Sequence, residues 1–94
     1  MLSKIPLQLE KVKTEDVEKE ILRAGIMAEL DAISLYEQLA AMTRKESTRK
    51  ILLDIAREEK THVGEFQALL LQEDPEQAVE LRAGGQEARE KTGG

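Results

Sequence analysis

The sequence contains no cysteine among its 94 residues. Disulfides, thiol catalysis, iron–sulfur clusters and cysteine-ligated zinc are therefore excluded, and any metal site must use oxygen and imidazole ligands. With a single histidine, such a site must be mostly oxygen. The only aromatic residues are one tyrosine and one phenylalanine, so aliphatic side chains must fill the core.

The sequence also has no long apolar run and no excess of basic residues. A membrane-spanning helix needs roughly 20 consecutive apolar residues, and residues 1–6 lack the apolar segment of a secretory signal. We therefore expect a cytoplasmic protein without a membrane span. The formal net charge of −5 argues against nucleic acid as a partner, because nucleic-acid binding needs a basic surface.

Two long helices are predicted from apolar residues that recur at three- and four-residue spacing. The first is expected to begin at Thr14, a residue typical of the N-cap, after an extended lead-in over residues 1–13, and to end near Met42. Residues 43–46 have the pattern of a capping box and predict a second helix that runs to about Glu73. So short a connection makes the two helices antiparallel neighbours.

A short third helix is predicted after this hairpin. Asp74 and Pro75 are typical of a helix start, and Gly84 with Gly85 is expected to end the helix. The sequence thus predicts an all-α protein with one domain over residues 1–83 and a flexible tail or linker over residues 84–94.

The first helix is apolar on more than one face, with a second stripe formed by Ala28, Ala32, Leu35 and Leu39. A helix with several apolar faces has more than one neighbour. Two helices alone cannot enclose a core. We therefore predict that two hairpins pair into a four-helix bundle as a homodimer.

Three polar residues, Glu29, Glu59 and His62, interrupt the apolar stripes. Burial of an unpaired carboxylate costs several kcal/mol, which favours a bound cation. Glu59 and His62 share one helix face, and pairing about the turn places Glu29 opposite residues 57–59. One carboxylate with Glu-x-x-His is half the ligand set of a di-iron centre. Two copies about a two-fold axis would complete that set, with iron or manganese as the metal.

Other interpretations of these polar residues stay open. Glu59 can be part of a solvated stretch in which it bonds to water or lysine, and His62 can be a core histidine. Tyr36, two turns after Glu29, is either a core aromatic or a residue that assists redox chemistry. Asp31 is either a solvated charge or part of an outer cation path. Gly64 is either a tolerated helix glycine or a point of close helix approach.

Four segments carry a resemblance to a known family: Ala-Glu-Leu-Asp-Ala at residues 28–32, Leu-Tyr-Glu-Gln at 35–38, Arg-Glu-Glu-Lys-Thr-His at 57–62 and Gly-Glu-Phe at 64–66. They are similar to the encapsulated ferritins, short ferritin-like proteins housed inside encapsulin shells. The resemblance covers about residues 15–83. It is strongest to the ferritin-like domains at the N-terminus of some archaeal encapsulin shell proteins.

The resemblance implies a ferritin-like bundle formed by a homodimer, with dimers assembled into a decamer. It implies a di-iron ferroxidase centre shared between two subunits, which oxidises Fe(II) with O2 for iron storage inside an encapsulin nanocompartment in the cytoplasm. The matched positions make Glu29, Glu59 and His62 the iron ligands, and Tyr36 the neighbouring tyrosine.

The sequence departs from the family pattern in two places. Of the acidic residues that form an outer iron-entry site in the family, one position is Ala28 and the other is Asp31, and a nearby aromatic is replaced by Leu35. The targeting peptide of separately made cargo members does not follow Gly85. The chain is then either a domain of a shell fusion or a protein targeted in another way.

Two further functions compete with the ferroxidase. One is a rubrerythrin-like protein that reduces peroxide at the same di-iron centre, although such proteins normally receive electrons through a cysteine-ligated iron domain. The other is a non-enzymatic helical interaction module, in which the polar residues only fix the register of the bundle.

Overall fold

The computed structural model describes residues 8–94, apart from the side chain of Leu9. Within that range the chain contains no strand, which confirms the predicted all-α fold. Its elements are two 3₁₀ turns, Leu9–Lys11 and Thr14–Asp16, followed by three α-helices, α1 (Val17–Met42), α2 (Glu46–Glu73) and α3 (Pro75–Thr92).

The start of α1 differs from the prediction. The extended lead-in was predicted over residues 1–13, of which residues 1–7 lie outside the described part of the chain. For the remainder the prediction is partly wrong, because Leu9–Lys11 forms a 3₁₀ turn. Thr14 is not the N-cap, since α1 begins after Asp16. The Asp16 backbone is already helical, so its carboxylate does not cap the helix and instead pairs with Lys19 at 3.1 Å. The hydrogen bond to Asp16, and then its charge, raises the pKa of Lys19.

The turn between α1 and α2 is held by Arg49 and not by the predicted capping box. No side chain caps α2, and the Thr43 hydroxyl accepts a hydrogen bond from the Lys45 amide. Arg49 donates to the carbonyl oxygens of Ala40 and Thr43. It also binds the Glu46 carboxylate at 2.6 Å, so that Glu46 does not reach back to the helix end.

Helices α1 and α2 form the predicted antiparallel hairpin, and with 26 and 28 residues they are about 39 and 42 Å long. The core between them is thin. Among the described residues, the buried apolar side chains are Leu22, Ile33, Ala40, Ala56 and Leu70. Many larger apolar side chains stay exposed, which is what the sequence predicts for a hairpin that needs a partner.

Several of these exposed side chains lie on one side of the hairpin, which we call the open face. On α1, Ile21 and Leu39 belong to the same stripe as Gly25; on α2, Ile51 and Leu69 belong to the stripe of Phe66. The two stripes meet, because the Phe66 ring lies against Gly25. Their exposed members, which define the open face, are Ile21 (43%), Leu39 (38%), Ile51 (62%) and Leu69 (50%).

The corner between α2 and α3 confirms the prediction made for Asp74. Its Oδ1 accepts a hydrogen bond from the Gln77 amide at 3.1 Å, and Pro75 is the first residue of α3. Its Oδ2 is 3.0 Å from a guanidinium nitrogen of Arg23 on α1. The corner therefore ties the start of α3 to the hairpin.

The predicted end of α3 at Gly84 and Gly85 is wrong, because the helix continues to Thr92. Glycine costs about 1 kcal/mol in a helix interior without forcing a stop, and good helix formers follow. The helix ends at Gly93, whose φ of 77° is left-handed. The division into a domain over residues 1–83 and a tail stays a prediction.

No side chain of α3 is fully buried, and the molecule measures 47 × 42 × 19 Å. No helix within residues 8–94 combines the length and the apolar character needed to cross a membrane.

Candidate metal centre

The hairpin brings together the three polar residues that interrupt its apolar stripes. Glu29 lies in the middle of α1, and Glu59 and His62 lie one turn apart on α2. One potential ligand atom from each lies within 4.8 Å of the others. His62 Nδ1 is 3.4 Å from Glu29 Oε2 and 3.5 Å from Glu59 Oε2. Their assignment as metal ligands stays a prediction, but the geometry it requires is present.

The cluster combines partly buried carboxylates with an oxygen that lacks a hydrogen bond. The side chains of Glu29 and Glu59 are only 18% and 20% exposed, and that of His62 is 43% exposed. Glu29 Oε2 is buried and has no hydrogen-bond partner. A buried carboxylate oxygen without a donor is costly. A cation between the three side chains would remove that cost.

No described lysine or arginine neutralises the two carboxylates. Among residues 8–94, neither Glu29 nor Glu59 forms an ion pair with lysine or arginine. Lys60, the neighbour that could have paired with Glu59, instead lies 3.0 Å from Glu37 on α1. This pair removes the simplest structural interpretation of Glu59 as a solvated charge bonded to lysine.

The donor set fits a borderline or hard divalent cation. Two carboxylates and one imidazole suit iron, manganese or zinc better than soft metals. Three ligands leave part of the coordination sphere of such an ion open. His62 lies on the same stripe of α2 as the exposed Ile51 and Leu69, so further ligands can approach from the open face.

Tyr36 and Asp31 are not part of this cluster. The Tyr36 side chain is half-buried two turns beyond Glu29, and its hydroxyl forms no hydrogen bond within residues 8–94. Asp31 is half-buried and lies outside the group of three. A redox role for Tyr36 and an outer metal site at Asp31 both stay predictions.

Of the two interpretations of Gly64, the structure supports a tolerated helix glycine, and the close approach of the helices lies at Gly25. A Cβ built on Gly64 meets nothing within 4 Å, whereas one built on Gly25 lies 3.2 Å from the Phe66 ring. The spacing contained a signal for this contact. Gly25 precedes Glu29 by four residues and Phe66 follows His62 by four, so both lie one helical turn from the cluster.

An antiparallel helical hairpin that carries carboxylates and a histidine at one level defines a ferritin-like protein, the class to which its fold also corresponds. The chain belongs to the rubrerythrin family, whose model matches residues 20–92. Its fold is similar to the crystal structure of the encapsulated ferritin domain from Pyrococcus furiosus, with a TM-score of 0.84 and 56% identity over 99% of this chain and 97% of that chain.

Two curated relatives connect the sequence to encapsulins. The chain is 57% identical over 95 residues, 99% of its length, to a ferritin-like–encapsulin shell fusion protein of Pyrococcus furiosus. It is 37% identical over 73 residues, 78% of its length, to the encapsulin nanocompartment cargo protein EncC of Myxococcus xanthus. The matches span 28% and 56% of those two proteins. The resemblance to encapsulated ferritins is confirmed.

Proposed function

We propose that this protein is a ferroxidase that oxidises Fe(II) with O2 at a di-iron centre shared by two copies of the chain. The observation that carries the proposal is the buried oxygen of Glu29, which has no hydrogen-bond donor and lies beside Glu59 and His62. The two carboxylates and the imidazole are the donor types that bind iron in this class of helical bundle.

A homodimer follows from the ligands and from the open face. One chain supplies two carboxylates and one imidazole, whereas a di-iron centre uses about four carboxylates and two imidazoles. The open face contains large apolar side chains that are 38–62% exposed. A second hairpin related by a two-fold axis would cover this face and bring the second half of the ligand set. Such dimers would then assemble into the decamer.

The three side chains bind and hold the substrate. Carboxylate oxygens stabilise the higher charge of Fe(III) over that of Fe(II), which lowers the reduction potential and favours oxidation. Each of two ferrous ions gives up one electron, and with two protons the O2 becomes hydrogen peroxide. Fe(III) then hydrolyses and leaves as mineral.

The names of the relatives support a location within an encapsulin compartment. One is a fusion to an encapsulin shell and the other is an encapsulin cargo protein. We propose that this protein likewise works in the cytoplasm, inside an encapsulin shell. The shell would store the iron that the protein oxidises. Attachment is either by fusion to the shell or as cargo.

Anaerobic titration with Fe(II), followed by native mass spectrometry, tests the site and the dimer together. We expect two irons per dimer. The variants Glu59→Ala and His62→Ala should lose these irons and slow Fe(II) oxidation by about 100-fold or more. Glu58→Ala is the matched control, because Glu58 is an exposed glutamate on the same helix. Oxidation by His62→Ala at the parent rate would show that the site is assigned wrongly.

A second function has support from the rubrerythrin family model, namely reduction of peroxide at the same centre. The two functions differ in their oxidant. One assay measures the rate of Fe(II) oxidation by O2, and the other measures the rate of hydrogen peroxide consumption in the presence of an added reductant. Sustained consumption of peroxide, without net iron oxidation, would favour the second function. No stoichiometric metal in either assay would leave only the helical interaction module.

A further inference from the structure

We infer that Gly25 and Phe66 are positioning residues for the metal centre, because their contact sets the spacing of α1 and α2 beside Glu29 and His62. This inference rests on the proposed function, since it concerns the same site. It adds two apolar residues to a centre that is otherwise defined by its ligands.

The contact has an unusual geometry. A Cβ built on Gly25 lies 3.2 Å from each of three carbons of the Phe66 ring, Cδ1, Cε1 and Cε2. A point equally distant from three atoms of a ring lies on the axis through the ring centre. The α-hydrogen of Gly25 on this side therefore lies over the ring face. Only a hydrogen fits there without movement of a neighbour.

The register of the two helices places this contact next to the ligands. Gly25 is one helical turn before Glu29 on α1, and Phe66 is one turn after His62 on α2. The ring thus packs on the α1 backbone in the layer adjoining the cluster. The separation of the two backbones in that layer fixes how far Glu29 lies from His62.

An alanine at position 25 would change this separation. Its Cβ is close enough that the ring or the helix must give by a few tenths of an ångström. Metal–ligand distances normally lie within about 0.2 Å of their reference values. A shift of α1 relative to α2 by a few tenths of an ångström exceeds that range, so we expect it to weaken metal binding.

Gly64 provides a matched control. It lies in the interior of α2 between His62 and Phe66, and a Cβ there meets nothing within 4 Å. Replacement of either glycine by alanine raises helix propensity by a similar amount. A difference between Gly25→Ala and Gly64→Ala therefore isolates the contact with the ring.

The experiment measures the anaerobic Fe(II) affinity of the dimer formed by residues 1–94, with helix content and dimer mass recorded for every variant. We expect Gly25→Ala to bind Fe(II) about tenfold more weakly than the parent. Gly64→Ala should bind like the parent. The double variant Gly25→Ala/Phe66→Leu should recover affinity, because the smaller side chain leaves room for the added methyl group. A purely structural role for Gly25 predicts instead that Gly25→Ala loses helix content or dimer mass together with its Fe(II) affinity, whereas a positioning role leaves both unchanged.

A second measurement needs no metal. In the proton NMR spectrum of the parent, the Gly25 α-proton above the ring should be shifted upfield, and this shift should vanish in Phe66→Leu. Its absence from the parent would overturn the inference even if Gly25→Ala fails to fold. Equal Fe(II) affinity of Gly25→Ala and the parent would also overturn it, as would failure of the double variant to recover. A parent that binds no Fe(II) would instead refute the proposed function, and the positioning role with it.

Discussion

The carboxylate of Asp74, at the corner between α2 and α3, and that of Glu29, in the middle of α1, are 14% and 18% exposed. Their surroundings are opposite. Both oxygens of Asp74 have donors, one from Arg23 and one from the Gln77 amide. Glu29 Oε2 has none. The two carboxylates are similarly buried but differ in their hydrogen bonds. Asp74 ties α3 to the hairpin, whereas the unsatisfied oxygen of Glu29 supports the proposed role of Glu29 as a metal ligand.

Position along a helix explains why the two carboxylates differ. Asp74 precedes the first turn of α3, where backbone N–H groups lack intrahelical partners and the helix dipole favours negative charge. Glu29 lies where every nearby backbone N–H is already bonded within α1. The folded chain thus provides hydrogen-bond donors for both oxygens of Asp74, whereas Glu29 Oε2 has only His62 Nδ1 nearby, at 3.4 Å and without a hydrogen bond.

The variant Glu29→Gln should separate the two roles most strongly. It keeps the shape of the side chain but removes its charge. We expect Fe(II) oxidation to fall by about 100-fold or more. The free energy of unfolding without metal should be unchanged or slightly higher, because burial of a neutral amide costs less than burial of a carboxylate. Stopped-flow oxidation and metal-free urea unfolding, at equal protein concentration, measure both. If Glu29→Gln unfolds more easily but oxidises Fe(II) at the parent rate, Glu29 has a structural role and not a metal-binding one.

Asp74→Ala should have the opposite effect. Loss of the helix cap should lower the free energy of unfolding by about 1–2 kcal/mol, and removal of the partner of Arg23 adds to that loss. Fe(II) affinity should stay at the parent value. Glu73→Ala is the control, since that neighbouring carboxylate is exposed. The distinction between the two carboxylates fails if Asp74→Ala weakens iron binding as much as Glu29→Gln does.

The hairpin and the position of the candidate site could be predicted because both depend on burial. Apolar residues at helical spacing report the buried faces directly, and a polar residue at the same level of each helix marks one place between them. Glu29 and His62 were found in this way. Their register follows from a turn of only three residues.

The helix ends could be predicted only in part. Helices α1 and α2 end at Met42 and Glu73 as predicted, and Asp74 caps α3 as predicted. The start of α2 was not predicted, because it depends on which of several partners a polar group selects. The Thr43 and Glu46 side chains match a capping box, yet Arg49 binds Glu46 and so prevents it. The contact of Gly25 with Phe66 was missed for a related reason. The sequence spacing shows that Gly25 and Phe66 lie near the ligands. Only the folded structure shows that the Phe66 ring packs against Gly25.

The smallest expected effects concern Gly84, inside α3, and Gly93, which caps its C-terminal end; both have free space around them but differ in backbone conformation. A Cβ on Gly84 or on Gly93 meets nothing within 4 Å, but Gly93 alone has a positive φ, 77°. Gly84→Ala should therefore stabilise α3 by about 0.5–1 kcal/mol, and Gly93→Ala should destabilise its end by about 1 kcal/mol. Amide hydrogen exchange along α3 measures both changes. Neither glycine is close to Glu29 or contacts Asp74, so Fe(II) affinity and the corner should not respond. A change in iron binding by either variant would mean that α3 contributes to the metal centre. Asp74, which ties α3 to the hairpin, would then affect iron binding as well, and its role would no longer be separate from that of Glu29.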